Sequence, residues 1–236
     1  MIVVDFHCHT QYSKDSLTSL EKAMAVCRKK GIHRLVISDH NTIVGARRAF
    51  QLDPQMVIVG EEIKTQQGEL LAAYVQEEIP AGLPSLEAIS RLRSQGAFIS
   101  VSHPFDRLRN GHWELDDLQR IAPLVDAIEI FNSRCMSSRF NQQAADFARQ
   151  HHLPGTAGSD AHTPSEIGGA RVSLPFFSDA DSLRSVIPQA RYSLRLAPPW
   201  VHFFSRYARW KQNQRRDYHE NDQPFWTNSA GSTRRR

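Results

Sequence analysis

Five short segments of the 236-residue chain place histidine or paired carboxylates at or after an apolar run: His7-Cys8-His9, Asp39-His40, Glu61-Glu62 after Gly60, His103 before Pro104, and Asp160-Ala161-His162. In extended backbone alternate side chains share a face, so His7 and His9 point the same way, as do Asp160 and His162. Each pair is a candidate grip on one cation. Taken singly, each also fits a plainer role. A His pair can sit in a solvated loop, Asp15 before Leu17 can cap a helix, and His40 can satisfy backbone groups where a strand gives way to a helix. One of Glu61 and Glu62 can simply be exposed, and alternation does not choose between them. His103 is expected to be held extended by Pro104. Taken together, five of eleven histidines and the carboxylates Asp15, Glu62 and Asp160 fall at the ends of apolar runs or shortly after them, which chance explains poorly. Mixed imidazole and carboxylate ligands suit zinc, manganese or iron. Eight candidate ligands exceed one tetrahedral site, so at least two divalent ions are expected, able to acidify a water and clamp a phosphoryl group. The three cysteines, Cys8, Cys27 and Cys135, are too few and too scattered for a thiolate site or a disulfide framework.

The elements that must position these residues alternate between short apolar runs and helical patterns. Strands are expected at 2–6, 34–38, 56–59, 70–75, 97–101, 125–131 and 155–158, and helices at 19–30, 42–51, 85–94, 114–121 and 137–151, with Ser or Thr available as caps. Strand-helix repetition implies a parallel sheet or barrel. In such barrels the site is assembled at the carboxyl ends of the strands, where distant residues become neighbours.

With these motifs in place, the chain resembles the PHP family, named for its occurrence with polymerases and in histidinol phosphatase. Asp5-Phe6-His7-Cys8-His9-Thr10 with Tyr12-Ser13-Lys14-Asp15-Ser16 resembles the first family motif, and Ile37-Ser38-Asp39-His40-Asn41 the second. Gly60-Glu61-Glu62 with Gly68-Glu69-Leu70 resembles the third, and Ser102-His103-Pro104 and Gly158-Ser159-Asp160-Ala161-His162 the last two. The resemblance runs from about residue 2 to 175. It implies an α/β fold, a distorted seven-stranded β/α barrel over residues 1–197, holding two or three divalent ions and hydrolysing a phosphomonoester or phosphodiester by attack of a metal-bound hydroxide. By motif, His7, His9, Glu62 and Asp160 hold one ion, Asp15 and His40 a neighbour, Glu62 bridges, and His103 and His162 complete the cluster. Many members carry a histidine shortly after the third-motif glutamate, where this chain has Gly68-Glu69-Leu70, so two ions are the expected number. Asp160 is the candidate for orienting or deprotonating the water, with Asp39 and Asp5 as partners that fix imidazole orientation. Arg134, after a strand, is a candidate for bidentate pairing with a substrate phosphate or else an exposed helix-start arginine.

From Trp200 onward eight basic side chains face three acidic ones, leaving 21 basic against 22 acidic over 1–199. The domain is therefore nearly neutral and the basic character belongs to the tail, which permits contact with nucleic acid or an anionic membrane. Residues 198–216 read as a basic aromatic amphipathic helix whose stripe of Trp200, Phe203, Phe204, Tyr207 and Trp210 is expected to cover the barrel. Residues 217–236 are expected to be disordered. No window approaches the roughly 18 apolar residues of a membrane span, and the N-terminal residues lack a secretory pattern, so a cytoplasmic location is expected. Substrates consistent with this reading are a phosphorylated small molecule, a nucleotide or an oligonucleotide. Two other readings stay open: an amidohydrolase-like C–N hydrolase, which would want a bridging lysine and has only Lys64 nearby, and an inactive metal-stabilised module that binds phosphate or nucleic acid.

Overall fold

A computed structural model describes residues 1–221. Its nine strands form one sheet in the order β7-β6-β5-β4-β3-β2-β1-β8-β9, with β1 Ile2–Cys8, β2 Arg34–Ile37, β3 Val57–Lys64, β4 Glu69–Ala73, β5 Phe98–Val101, β6 Ala127–Asn132 and β7 Gly155–Gly158. The ends of this run approach each other beyond the last strand residues. Asp160 N donates to His7 O at 2.7 Å and His9 N to Ala161 O at 2.9 Å, so β1 and β7 nearly close a barrel. The seven expected strands are these seven. Two more extend the sheet: β8 Ala170–Leu174, antiparallel to β1, and β9 Arg191–Leu194, antiparallel to β8. The expectation of seven strands is corrected to nine, the extra pair lying beyond the barrel proper.

The sheet is not all parallel. β3 and β4 form an antiparallel hairpin, and β4 is antiparallel to β5. No helix separates β3 from β4, so a short connection is the only route between them and it must reverse direction. The hairpin also lengthens β3 to Lys64, placing Glu62 within the strand, beyond the expected end at Val59.

Helices α1 Leu20–Lys30, α2 Val44–Leu52, α3 Ser85–Ser94, α4 Leu115–Ile121 and α5 Ser138–Gln150 occupy the connections, and α6 Ala180–Val186 links β8 to β9. Ser19 caps α1 through Lys22 N, and Gly31 ends it at φ 66°, a conformation open to glycine without a Cβ penalty. Inside the barrel, Val4, Phe6, Val36, Ile58, Ala73, Phe98, Ala127 and Ala157 form one buried cluster. Cys8 instead packs with α1 residues Leu20, Met24 and Cys27. Simple alternation would place Phe6 and Cys8 on one face. The register of β1 against β2 shifts between Asp5 and Cys8, and this bulge re-aims the strand where His7 must point into the site.

The last helix, α7 Val201–Asn221, corrects the expected range of 198–216, and residues 222–236 of the expected disordered tail lie outside the described residues. Its packing reverses the expectation for the aromatic stripe. Val201, Ser205 and Ala208 are buried against the barrel, whereas Trp200, Phe203, Phe204, Tyr207 and Trp210 are exposed. Small residues bring the helix axis close, and polar anchors hold it there: Arg134 Nη2 donates to Ser205 Oγ at 2.7 Å, and Gln212 Nε2 donates to Ser13 O at 2.9 Å and Ser16 O at 2.6 Å. Among the described residues no helix is long and apolar enough to cross a membrane.

Candidate metal centre

All eight sequence-predicted ligands converge at the mouth of the barrel. Glu62 is the hub. Its Oε1 lies 3.1 Å from His103 Nε2 and 3.4 Å from His7 Nε2, and its Oε2 lies 2.8 Å from His40 Nδ1 and 3.3 Å from His9 Nε2. Asp160 Oδ1 is 3.2 Å from His9 Nε2, 3.5 Å from His162 Nδ1 and 3.6 Å from His7 Nε2. Asp15 Oδ1 is 3.3 Å from His162 Nε2 and 3.5 Å from His40 Nε2. Glu61, which alternation alone left level with Glu62, faces away: its Oε2 accepts from Ile79 N at 3.1 Å, and burial pushes its carboxyl up to about 8.

The imidazoles are oriented through their Nδ1 atoms. His7 Nδ1 lies 3.0 Å from Glu129 Oε1, and a carboxylate accepts, so Nδ1 carries a proton and Nε2 is the atom turned toward Glu62 and His9. Ser13 Oγ donates to Asp39 Oδ1 at 2.8 Å and must therefore accept from His9 Nδ1, 3.1 Å away. His162 Nδ1 donates to the carbonyl of Asp160 at 2.8 Å. Each of the three rings thus presents Nε2 inward. Asp39 reaches His9 only through Ser13, and it also accepts from Thr10 N and Thr10 Oγ1. Asp5 fixes backbone and touches no ring: it accepts from His7 N, Ser159 N, Ser159 Oγ and Gly168 N. The partner expected of Asp5 is in fact Glu129, a carboxylate inside the apolar strand β6, and that misfit is the signal by which the sequence could have revealed it.

The residues fit divalent metal. Asp15 Oδ1, Asp160 Oδ1 and His103 Nδ1 are buried without hydrogen bonds, which a folded protein rarely tolerates without a functional reason. Burial would raise Glu62 and Asp160, yet His7 and His40 hold Glu62, and Arg109 and His7 hold Asp160, well below the usual carboxylate range. Burial opposes charge on His7 and His40 too, but Glu62 and the neighbouring carboxylates push both rings well above the ordinary imidazole value. Burial, Arg134 and His9 pull His162 down to about 4, so its ring is neutral and its lone pair free. A site with ionised, buried carboxylates draws positive charge, and a cation supplies it. Three triads have ligand atoms close enough to share an ion: His7, His9 and Glu62; His9, His40 and His162; and Glu62, Glu69 and His103. Glu69 was singled out in the sequence only as a departure from the family motif; it occupies the β4 side of the cluster, 3.5 Å from His103 Nε2.

Backbone is held in unusual conformations at three points around these ligands. His103 has φ 23°, Asp160 φ 51° and Asn41, next to His40, φ 53°, a region that non-glycine residues seldom adopt. The extended geometry expected of His103 is therefore corrected. Its N–H donates to Glu129 Oε2 at 2.8 Å, which sets its direction against the preference of a residue before proline.

Gly158 lies where β7 meets His7. A Cβ there would run into His7 Cβ and come within 2.9 Å of His7 N and 3.0 Å of Glu129 Oε1. Gly158→Ala is expected to displace His7, weakening metal affinity at least about 10-fold while costing roughly 1–3 kcal/mol of stability from overpacking. Metal titration and thermal melting of the variant check both; unchanged affinity would mean that β1 yields without moving the ring.

A pocket of about 500 Å³ opens over the ligands, with Lys14, Lys64, Arg109, Arg134, Arg206 and Arg209 among its lining residues. Arg109, from the irregular segment after β5, donates through Nη1 to Asp160 Oδ2 at 2.5 Å, through Nε to Asp106 at 3.1 Å and through Nη2 to Asn132 at 3.4 Å. Arg134 is only 4% exposed, pairs with Glu166 at 3.2 Å and ties down Ser205 of α7. Both guanidinium groups line the pocket and both are engaged by protein acceptors; Arg109 differs in touching Asp160, one of the proposed ligands. Arg209 Nη2 donates to Asp15 Oδ2 at 3.1 Å.

Two family models match the chain. The PHP domain matches residues 5–90, and the PHP-associated domain residues 138–191. An uncharacterized protein of Methanocaldococcus jannaschii is 37% identical over 172 residues, covering 72% of this chain and 69% of its own length. Among solved structures, PsfC from Pseudomonas syringae superposes with a TM-score of 0.66 at 18% identity, over 89% of this chain and 98% of that one. A Bifidobacterium adolescentis protein named as a candidate metal-dependent phosphoesterase gives 0.58 at 18% identity, over 77% and 94%. Family match and ligand geometry lead to one conclusion: the chain belongs to the PHP family, with His and carboxylate clusters able to hold divalent metal.

Proposed function

We propose that the chain is a metal-dependent phosphoesterase. The observation that carries this reading is the meeting of two features: a cluster of eight His and carboxylate ligands, of which Asp15, His40 and His162 line a pocket beside Glu69, and six cationic side chains around that pocket's wall. A cationic wall over a metal floor selects an anionic substrate that displays its charge at the reacting centre, as a phosphoester does.

His7, His9, Glu62 and Asp160 would hold one ion, and Asp15, His40 and His162 a second. Glu62, Glu69 and His103 form a third place, with glutamate standing where many family members have histidine. Bound there, manganese, zinc or iron ions supply Lewis-acid chemistry, offsetting charge on phosphoryl oxygens and lowering the pKa of a water. The chain's own residues do the rest. Glu129, Ser13 and the Asp160 carbonyl keep the Nε2 lone pairs of His7, His9 and His162 inward. Asp160, held ionised by Arg109, orients the attacking water. Arg109 pairs with the phosphoryl oxygens in the fork geometry a guanidinium offers.

The C–N hydrolase reading has less support. Lys64, the lysine it would draw on, is an exposed residue in the pocket lining. A binding role without turnover would leave esters intact. The test is hydrolysis of an aryl phosphomonoester and an aryl phosphodiester by the manganese-, zinc- or iron-loaded chain. Turnover that disappears on chelation and returns with metal supports the reading; bound metal with no turnover of either ester contradicts it.

A further inference from the structure

The outer face of α7 has no role in the site described above. Trp200, Phe203, Phe204, Tyr207 and Trp210 are each 52–69% exposed, although large aromatic side chains in a row normally bury. At 100° per residue these five occupy one continuous arc of about 120°. The buried arc of Val201, Ser205 and Ala208 lies across the helix from it, and His202, Arg206 and Arg209 line the pocket between the two. Arg206 therefore stands at the edge where the metal pocket ends and the aromatic face begins. On the far border Lys211 Nζ sits 6.0 Å from the centre of the Tyr207 ring. The helix cannot simply roll over to hide the rings, because Gln212, Ser205 and Arg209 fasten it to the barrel on the opposite side.

We propose that this face is a stacking platform for single-stranded nucleic acid, whose phosphate backbone runs from the metal pocket past Arg206 onto the rings of α7. The inference rests on the phosphoesterase reading, since the strand is anchored by the phosphate that the pocket receives. Three features favour this occupant. The cations of the pocket and the aromatic rings are contiguous, which is the combination that holds a single strand without reading its sequence. From Trp200 to Trp210 the helix rises about 15 Å, room for roughly four stacked bases. The nearly neutral barrel leaves the positive charge concentrated in the C-terminal part that carries the rings. A helix lying on an anionic membrane would line both borders of its apolar face with several free cations, whereas between Trp200 and Lys211 the far border carries Lys211 alone. Here Arg206 and Arg209 turn toward the pocket, and Arg209 is engaged by Asp15.

The test uses the full metal-loaded chain, a fluorescent hexathymidylate and an aryl phosphodiester, comparing wild type with the triple variant Phe203→Ala, Tyr207→Ala, Trp210→Ala. The variant is expected to bind the oligonucleotide at least about 30-fold more weakly, with kcat/KM for the aryl diester unchanged. Tyr207→Phe with Trp210→Phe, which keeps the rings, should keep the affinity. Equal oligonucleotide affinity in wild type and triple variant, or no binding by wild type, overturns the proposal. So does loss in the variant of binding to phosphatidylglycerol vesicles alone, or of self-association alone, with oligonucleotide binding unaffected; these would assign the face to a membrane or a second copy. If the platform-dependent binding is present but wild type hydrolyses no ester, the platform stands and the phosphoesterase reading falls.

Discussion

Glu62→Ala is expected to empty the site of metal and to lower ester hydrolysis at least about 1,000-fold. Among the described residues no other side chain touches as many of the proposed ligands: four imidazoles lie 2.8–3.4 Å from its two oxygens, and Ser102 Oγ donates to it at 2.8 Å. It belongs to two of the three triads that can share an ion, so its loss removes a ligand from more than one place at once. The metal-free protein should suffer too. Glu62 is fully buried and ionised, and removing one partner of such a group leaves His7 and His40 with less compensation for their charge, a loss of about 3 kcal/mol by analogy with broken buried pairs. Glu62→Gln keeps the size and much of the hydrogen bonding, and so should be more stable than Glu62→Ala while still losing metal. Glu61→Gln is the control. Its carboxyl faces Ile79 on the other side of the strand and, at about 8, is largely protonated at neutral pH; metal content and activity should stay near wild type. Metal analysis, denaturant melts and ester assays on the three variants check this, and a Glu61 variant as damaged as Glu62→Ala would mean that strand geometry, not ligation, is being disturbed.

Arg109→Ala is expected to reduce kcat/KM for phosphoesters about 100- to 1,000-fold without emptying the metal site, the scale of losing one preorganised charge-stabilising donor. Arg109→Lys restores the charge but not the planar fork and should recover activity only in part. Because Arg109 also bonds Asp160 and Asp106, a purely positioning role would be expected to loosen metal binding as well. Inhibition by inorganic phosphate separates the two. If Arg109 contacts the phosphoryl group, the inhibition constant rises in Arg109→Ala; if it only steadies Asp160, that constant stays constant while metal affinity falls.

How far these features were visible in the sequence depended on whether they are local. The five strand-end motifs could be found because a strand followed by polar residues is a short-range pattern, and an α/β barrel gathers such endings at one mouth. α3 begins and ends where its periodicity and flanking residues place it, at Ser85 and Ser94. What depended on three-dimensional neighbours was not visible. Arg109 sits in an irregular segment with no periodicity, and its partner Asp160 is 51 residues away. Alternation alone left Glu61 level with Glu62; the family motif pointed to Glu62, and the hairpin with β4, which extends the strand, sets which side each residue faces. β9 escaped notice because all four of its residues are exposed and it has no apolar alternation to reveal it. The aromatic stripe of α7 had the right helical spacing, yet periodicity says only that one face differs from the other. Which face turns inward was settled by Ser205 and Gln212, small or polar residues that find partners on the barrel.

The converging imidazoles and carboxylates are expected to hold more than one divalent ion, and metal content decides the matter. The full chain would be loaded with manganese or zinc, freed of excess metal by gel filtration, and measured by elemental analysis beside a Glu62→Ala sample treated identically. Two to three ions per wild-type chain, falling below one in the variant, is the expected result. Less than one ion per wild-type chain under metal-replete conditions, or equal content in the two proteins, would contradict it.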